Sequence, residues 1–405
     1  MMRSTPRFQA GDGLRGLAAL GVFTVHAGSF ALGSTGQVAL AAEPGREGSY
    51  GLLGIAMVGG GASYVTFFVL SGYLISRPFV RAFIFAEPLP RLGSYVLNRA
   101  LRIFPALWLA FTVALLLAGV PGNASAVDIL GVYTLAGSWH DNPFAGVLGQ
   151  AWTLAVEVRF YLLVPAVSLL GMGVVRAARV RVGPRARLAV VLACGLGVAA
   201  VTLITAPGLT AGELLSFHAH LYAFVPGVML AALEPWLLAR LSQRRLARWL
   251  GLGLAVLGTG MFLAWEPVSA AMQTASAAPS ALRLYLAIAA GTVVSGLLIA
   301  QWGGWTRSLF TWGPVRWLGQ RSYSFYLLHF LVLAELAPLV AAGGYKRTLL
   351  ILFPAALAVT AVSAEISYRL VERPLLQRRA RAQATRADPD RASRSGELAI
   401  QRAPA

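Results

Sequence analysis

Two residues in the first apolar run of the chain could carry acid–base and ionic chemistry: Arg15 and His26, eleven positions apart. At 100° per residue they return to within about 20° of one helix face, and a 1.5 Å rise sets them roughly 16 Å apart along it. Imidazole gains and loses a proton near neutral pH, so His26 suits a general base or a transient acyl acceptor. The plainer reading is an arginine snorkelling to lipid phosphate and a histidine satisfied by a neighbouring helix. A second cluster, residues 98–105, sets Arg99 and Arg102 three positions apart on one side of a helix. Guanidinium forks match phosphate oxygens in pairs, which fits a donor with several phosphates such as an acyl-CoA; lipid headgroups would fit equally well. In the stretch Trp152 to Tyr161, Glu157 and Tyr161 share a face at i,i+4, while Arg159 points elsewhere. Glu157 could bind a sugar hydroxyl, hold an imidazole or pair with a cation on another helix. Ser322, Tyr326 and His329 form a polar stripe that interhelical hydrogen bonding explains as well as catalysis does. His140, His218 and His220 read as structural and Cys194 as a packing residue. A single cysteine allows no internal disulfide and no Cys-based metal site.

The elements that must position these residues are membrane spans. The 405 residues are 57% hydrophobic and 12% charged, with a mean hydropathy of +0.67, which no water-exposed globule carries without an apolar surface. Runs long enough to cross a hydrocarbon core of roughly 30 Å recur along the chain. They fall at 12–32, 52–75, 103–120, 152–175, 187–206, 214–233, 248–266, 283–303, 322–342 and 348–369. The net charge of +18 is a matter of topology: 28 of the 34 Lys and Arg lie in alternate segments, four lie in the others, and Arg15 and Arg159 lie within spans. The positive-inside rule then predicts ten spans with both termini cytoplasmic, and removes nucleic acid as an explanation of the charge.

Arg3 and Arg7 before an apolar run also match a cleaved signal peptide. The expectation is a retained span, because the run holds Arg15 and His26 and cleavage would leave nine spans. Residues 76–102 mix five arginines with apolar residues and predict an amphipathic segment on the inner surface. Gly59 to Gly61 and Pro226-Gly227 are expected to interrupt helices, and the glycines at 251–255 to serve helix packing. The predicted division is a transmembrane domain over 1–372 and a disordered basic tail over 373–405.

Taken together, these motifs resemble the membrane acyltransferase-3 family, which includes O-antigen and peptidoglycan O-acetyltransferases and macrolide acyltransferases. The resemblance is carried by Arg15 with His26, Phe67 to Tyr73, Arg99 and Arg102 followed by Ile103 and Pro105, Trp152 to Tyr161 with Pro165, Ser322 to His329, and Glu372-Arg373-Pro374. Tyr73 and Thr153 stand where relatives often have Phe and Ser. The resemblance implies an all-α polytopic bundle in a bacterial cytoplasmic membrane, acting as an O-acyltransferase. It implies an acyl-CoA donor, acetyl-CoA foremost, on the cytoplasmic side, with no metal. The acceptor is a hydroxyl of a cell-envelope glycan, a glycolipid or a secreted small molecule. His26 would be essential, Arg15 part of the same motif, and Arg99 and Arg102 would engage the donor. Ser71, Trp152, Glu157, Tyr161, Tyr326 and His329 complete the expected site.

Some relatives carry an added extracytoplasmic esterase-like domain. The expectation for this chain is therefore that it acts alone, passes the acyl group to a separate partner, or takes an acceptor into the membrane domain. The rival readings are a proton-coupled transporter, since buried Arg, His and Glu also build ion relays, and a non-catalytic acyl-responsive receptor.

Overall fold

Lipid offers no partner to backbone N–H and C=O groups, so a spanning chain must pair them within its own segments. The computed structural model describes residues 8, 10–31, 63–137, 139, 142–179, 182–205, 215–241, 245–274, 279–300, 305–340 and 345–387. Among these, every regular element is helical, and ten helices are long and apolar enough to cross a membrane. In chain order the long helices are α1 (Ala10–Ala31), α2 (Tyr64–Phe85), α3 (Leu92–Ala118), α4 (Trp152–Ala177) and α5 (Pro184–Thr205). They continue as α6 (Leu221–Leu241), α7 (Arg245–Leu263), α8 (Pro279–Ala300), α9 (Gly313–Val340) and α10 (Tyr345–Ser367). A last helix, α11 (Arg373–Ala387), follows a π-helical turn at Tyr368–Glu372. Side chains such as Leu116, Leu170, Ile204, Leu339 and Leu350 are exposed and form the lipid-facing surface.

The number of spans is as the sequence predicts, but several boundaries are not. The second span begins at Tyr64 and runs ten residues past the expected end, so residues 76–85 continue α2 and are not a surface segment. Its charges are neutralised in place. The Arg77 fork holds Glu234 on α6 through Nε to Oε2 at 2.6 Å and Nη2 to Oε1 at 2.9 Å, and the Tyr73 hydroxyl adds a bond at 2.9 Å. Arg81 holds Glu87 in the same two-pronged way. Likewise α3 starts at Leu92, which puts Arg99 and Arg102 inside a continuous helix. Pro226 and Gly227 do not interrupt α6. Gly59 to Gly61 and His140 lie outside the described residues. Residues 373–387, expected within an unordered tail, are helical; Arg379 and Gln383 donate to the Asn98 side chain at 2.9 and 3.3 Å. Cys194 is exposed on α5 and packs no core.

Glycine sets the closest crossings, because only a missing Cβ lets two helix backbones meet. A Cβ on Gly227 would collide with the Val69 carbonyl and lie 2.5 Å from the Tyr73 nitrogen, and one on Gly72 would collide with the Phe224 carbonyl. This joins α2 to α6. Gly16 and Gly319 do the same for α1 and α9, and Gly251, Gly258 and Gly296 for α7 and α8, the small-residue packing read from the sequence. Because backbone cannot yield as a side-chain tip can, Gly227→Val should cost more than the ~1–3 kcal/mol of an ordinary overpacked core. The expected outcome is a melting temperature many degrees lower in detergent, read by intrinsic fluorescence. An unchanged melting temperature would contradict the crossing.

Candidate active site

α1, α2, α3, α4 and α9 enclose a cavity of about 60 Å³ whose lining includes Arg15, Ser71, Arg99, Arg102, Glu157, Tyr161, Ser322 and Tyr326. Residues from five helices, singled out on separate grounds in the sequence, therefore share one space. Three guanidinium groups face a single carboxylate there, so the wall carries an excess of positive charge. Arg15 is partly offset by Asp12 at 3.4 Å. Arg99 stacks over the rings of Tyr95 and Tyr161, with its central carbon 5.8 and 5.6 Å from their centroids, and its buried Nε has no hydrogen-bond partner. An orphaned guanidinium N–H beside two further arginines is what an anionic ligand would satisfy. The cavity has room for a few water molecules.

Glu157 is fixed by two hydroxyls on one oxygen. Tyr161, one turn further along α4, donates to Oε1 at 2.5 Å, and Ser71 of α2 donates to the same atom. Oε1 takes both donors, and Oε2 takes neither. Arg159 points away and donates to the carbonyls of Ala136 and Gly137 at 3.2 and 3.4 Å.

His26 and His329 do not line that cavity. They face each other beside it, His26 Nδ1 lying 2.8 Å from His329 Nε2, with His329 Nδ1 2.7 Å from the Tyr326 carbonyl oxygen. A carbonyl oxygen only accepts, so His329 Nδ1 carries a hydrogen. With both rings neutral, His329 Nε2 is then an acceptor and His26 Nδ1 must donate to it. The lone pair of His26 is thereby assigned to Nε2. Phe330 meets the His26 ring edge-on at 5.1 Å, and Phe23 meets His329 at 6.3 Å, so apolar rings hold both imidazoles.

Tyr326 joins the two centres. Its ring lines the cavity and its carbonyl fixes His329, while its hydroxyl lies 2.7 Å from Thr153 Oγ1 and donates to the Gln150 carbonyl at 3.2 Å. Gln150 returns its amide to the Leu327 carbonyl at 2.7 Å. Along α4 the order is Trp152, then Glu157 about 7.5 Å deeper, then Tyr161 about 13.5 Å deeper beside Arg99. Trp152 sits 4.7 Å from the His220 ring and 5.6 Å from Tyr64. Gln150, Tyr64 and the histidine pairing were not found by sequence reasoning. Gln150 sits one residue ahead of the Ala151-Trp152 helix start, where an amide next to an indole was the only trace. Ser324, on the opposite side of α9 from that stripe, bonds the buried Glu372 of the π-helical turn and Ser367. That turn rotates Glu372 into the bundle, which ordinary helical spacing would not have indicated.

Comparison with known proteins bears on this geometry. The family described as an acyltransferase domain matches residues 9–368. The provisionally named peptidoglycan O-acetyltransferase YrhL of Bacillus subtilis (strain 168) is 26% identical over 390 residues, 90% of this chain and 54% of its own length. The peptidoglycan O-acetyltransferase OatA of Listeria monocytogenes serovar 1/2a is 25% identical over 386 residues, 90% of this chain and 55% of its own. Nodulation protein 10 of Rhizobium leguminosarum bv. viciae is 30% identical over 122 residues, 24% of this chain and 30% of its own. The chain thus spans about half the length of the first two relatives. No solved structure matches it. With its motifs on one bundle and a match across nearly the whole membrane region, the chain belongs to the acyltransferase-3 family, the multi-pass bacterial membrane proteins built on this acyltransferase domain.

Proposed function

We propose that the chain is a membrane O-acyltransferase of the bacterial inner membrane. It moves a short acyl group, acetyl foremost, from a cytoplasmic acyl-CoA to a hydroxyl of a cell-envelope glycan. A glycolipid or a secreted metabolite would present the same hydroxyl, but the two peptidoglycan O-acetyltransferases among its relatives favour the glycan. The observation that carries the reading is the hydrogen-bond order Tyr326 carbonyl, His329, His26, which gives His26 a basic Nε2. That base sits on the same helix as Arg15, which lines the arginine-rich cavity.

In this reading the donor phosphates meet Arg99 and Arg102, and the orphaned Nε of Arg99 is suited to a phosphate oxygen. The roughly 16 Å from Arg15 to His26 along α1 is comparable to the flexible arm that joins the phosphates of CoA to its thiol. His26 Nε2 takes the proton of the acceptor hydroxyl as that oxygen attacks the thioester carbonyl. Collapse expels the thiolate, which takes the proton back, leaving an ester and free CoA thiol. Glu157 orients the acceptor through Oε2. The deciding experiment uses sealed vesicles with labelled acetyl-CoA at the arginine end and glycan at the other. Labelled ester on the glycan supports the reading, whereas solute uptake with no ester would identify a transporter. Label that accumulates on a separate extracytoplasmic protein would make that protein the terminal transferase.

His329 touches no substrate in this scheme; it is a positioning residue. His329→Ala leaves His26 free to rotate and to take the other tautomer, and should lower kcat by on the order of 10²-fold, the usual effect of a misplaced group. The KM for the donor should stay near the wild-type value. A rise in KM with kcat unchanged would instead tie His329 to donor binding.

A further inference from the structure

At the Trp152 end of the bundle lies a second constellation that the chemistry above does not use. Trp152, Tyr64 and Phe68 surround the His220 ring at centroid distances of 4.7, 6.1 and 5.6 Å. The Tyr222 ring lies 6.4 Å from the same imidazole, and Arg283 stands in the first turn of α8, which packs against both α2 and α6, the helices that carry Tyr64 and Tyr222, within electrostatic reach of Tyr64, Tyr222 and His220. Nη1 of Arg283 is buried and has no hydrogen-bond partner. His220 Nδ1 lies 3.1 Å from the Ser216 carbonyl and therefore carries a hydrogen, so its neutral ring presents Nε2 as an acceptor.

A buried guanidinium N–H without a partner carries a desolvation cost that an acceptor on a ligand would recover. The remaining inventory is of one kind: an indole and two phenol rings offering flat faces, an imidazole nitrogen and two hydroxyls for polar edges, and one cationic donor. Flat faces suit the apolar side of a sugar ring, the polar atoms suit its hydroxyls, and a guanidinium N–H suits a carboxylate. Tyr64 and Phe68 also line the cavity that holds Glu157, so the constellation adjoins it.

We infer that Arg283, with Trp152, Tyr64, Tyr222 and His220, forms an acceptor subsite that selects sugars bearing a carboxylate. The inference rests on the acyltransferase reading for its purpose but not for its test, which needs no turnover. Binding of methyl β-D-glucuronide and methyl β-D-glucoside to the full chain in nanodiscs is measured by saturation-transfer NMR at low ionic strength. The uronide should bind roughly tenfold more tightly, the worth of one charge-assisted hydrogen bond. The preference should vanish in Arg283→Gln and persist in part in Arg283→Lys, which guards against a folding defect in the first variant. Equal binding of the two sugars, or a preference that survives in Arg283→Gln, would overturn the subsite. A chain that prefers the uronide through Arg283 yet acylates nothing would keep the subsite and refute the transferase; an active transferase indifferent to the carboxylate would do the reverse.

Discussion

Replacement of His26 by alanine should abolish acyl transfer, with kcat falling by about 10³-fold or more and the donor KM little changed. His26 Nδ1 is occupied as a donor to His329, so the proton-accepting capacity of the pair resides in one atom, His26 Nε2. A positioned general base contributes roughly 10²–10⁴-fold, and no other imidazole among the described residues lies against His26 except its own orienting partner. The control for folding is the melting temperature, because His26 is buried and its loss opens a small void. His26→Gln keeps the volume and a donor to His329 but no base, and should be as inactive as the alanine variant. Rapid acid quench adds a second readout. Labelled acyl group recovered on wild-type protein would convert the base into an acyl carrier, while activity retained in both variants would remove His26 from the chemistry.

The double substitution Arg99→Gln, Arg102→Gln should raise the donor KM and lower kcat/KM by roughly 10²–10⁴-fold, taking ~1.5–3 kcal/mol for each charged hydrogen bond. In Arg99 the effect joins two causes. Its Nε lacks a partner in the absence of ligand, and its planar group is held between Tyr95 and Tyr161. Both rings depend on the plane, so Arg99→Lys should lose most of what Arg99→Gln loses. The measurement is the initial rate against acetyl-CoA concentration, paired with inhibition by free CoA. Both constants should weaken together if these residues hold the phosphates. A drop in kcat with the donor KM and CoA inhibition unchanged would contradict a donor site here.

What the sequence made legible was local. The i,i+4 spacing of Glu157 and Tyr161 is realised as a hydrogen bond of 2.5 Å, and the stripe Ser322, Tyr326, His329 does run from the cavity to the histidine pair. Pairings between distant segments were not legible: His26 and His329 are 303 residues apart, and no periodicity within either helix points to the other. Ser71 entered only through family resemblance, since a lone serine in an apolar helix carries no signal until Glu157 faces it. The second span was misplaced for a definable reason. Hydropathy ends a span at its first charges, here Arg77 and Arg81, whereas the fold neutralises Arg77 on the buried Glu234 and carries the helix on. The mistaken expectation for Cys194 has the same root, because apolar sequence does not distinguish a lipid-facing side chain from a packed one.

The glycine crossings have a mechanical consequence. Where α2 meets α6 and α1 meets α9, backbone presses on backbone, with no side chain between to slide or rotate. Each pair therefore moves as one stiff beam. Each beam is fastened to α4 differently, by a side-chain latch, Ser71 to Glu157 for one and Tyr326 to Thr153 for the other, which can unclip without breaking a helix. Widening a space of about 60 Å³ thus takes the route of least resistance: the beams swing away from α4, and the groups that release, Ser71, Glu157, Thr153 and Tyr326, all line the space that opens.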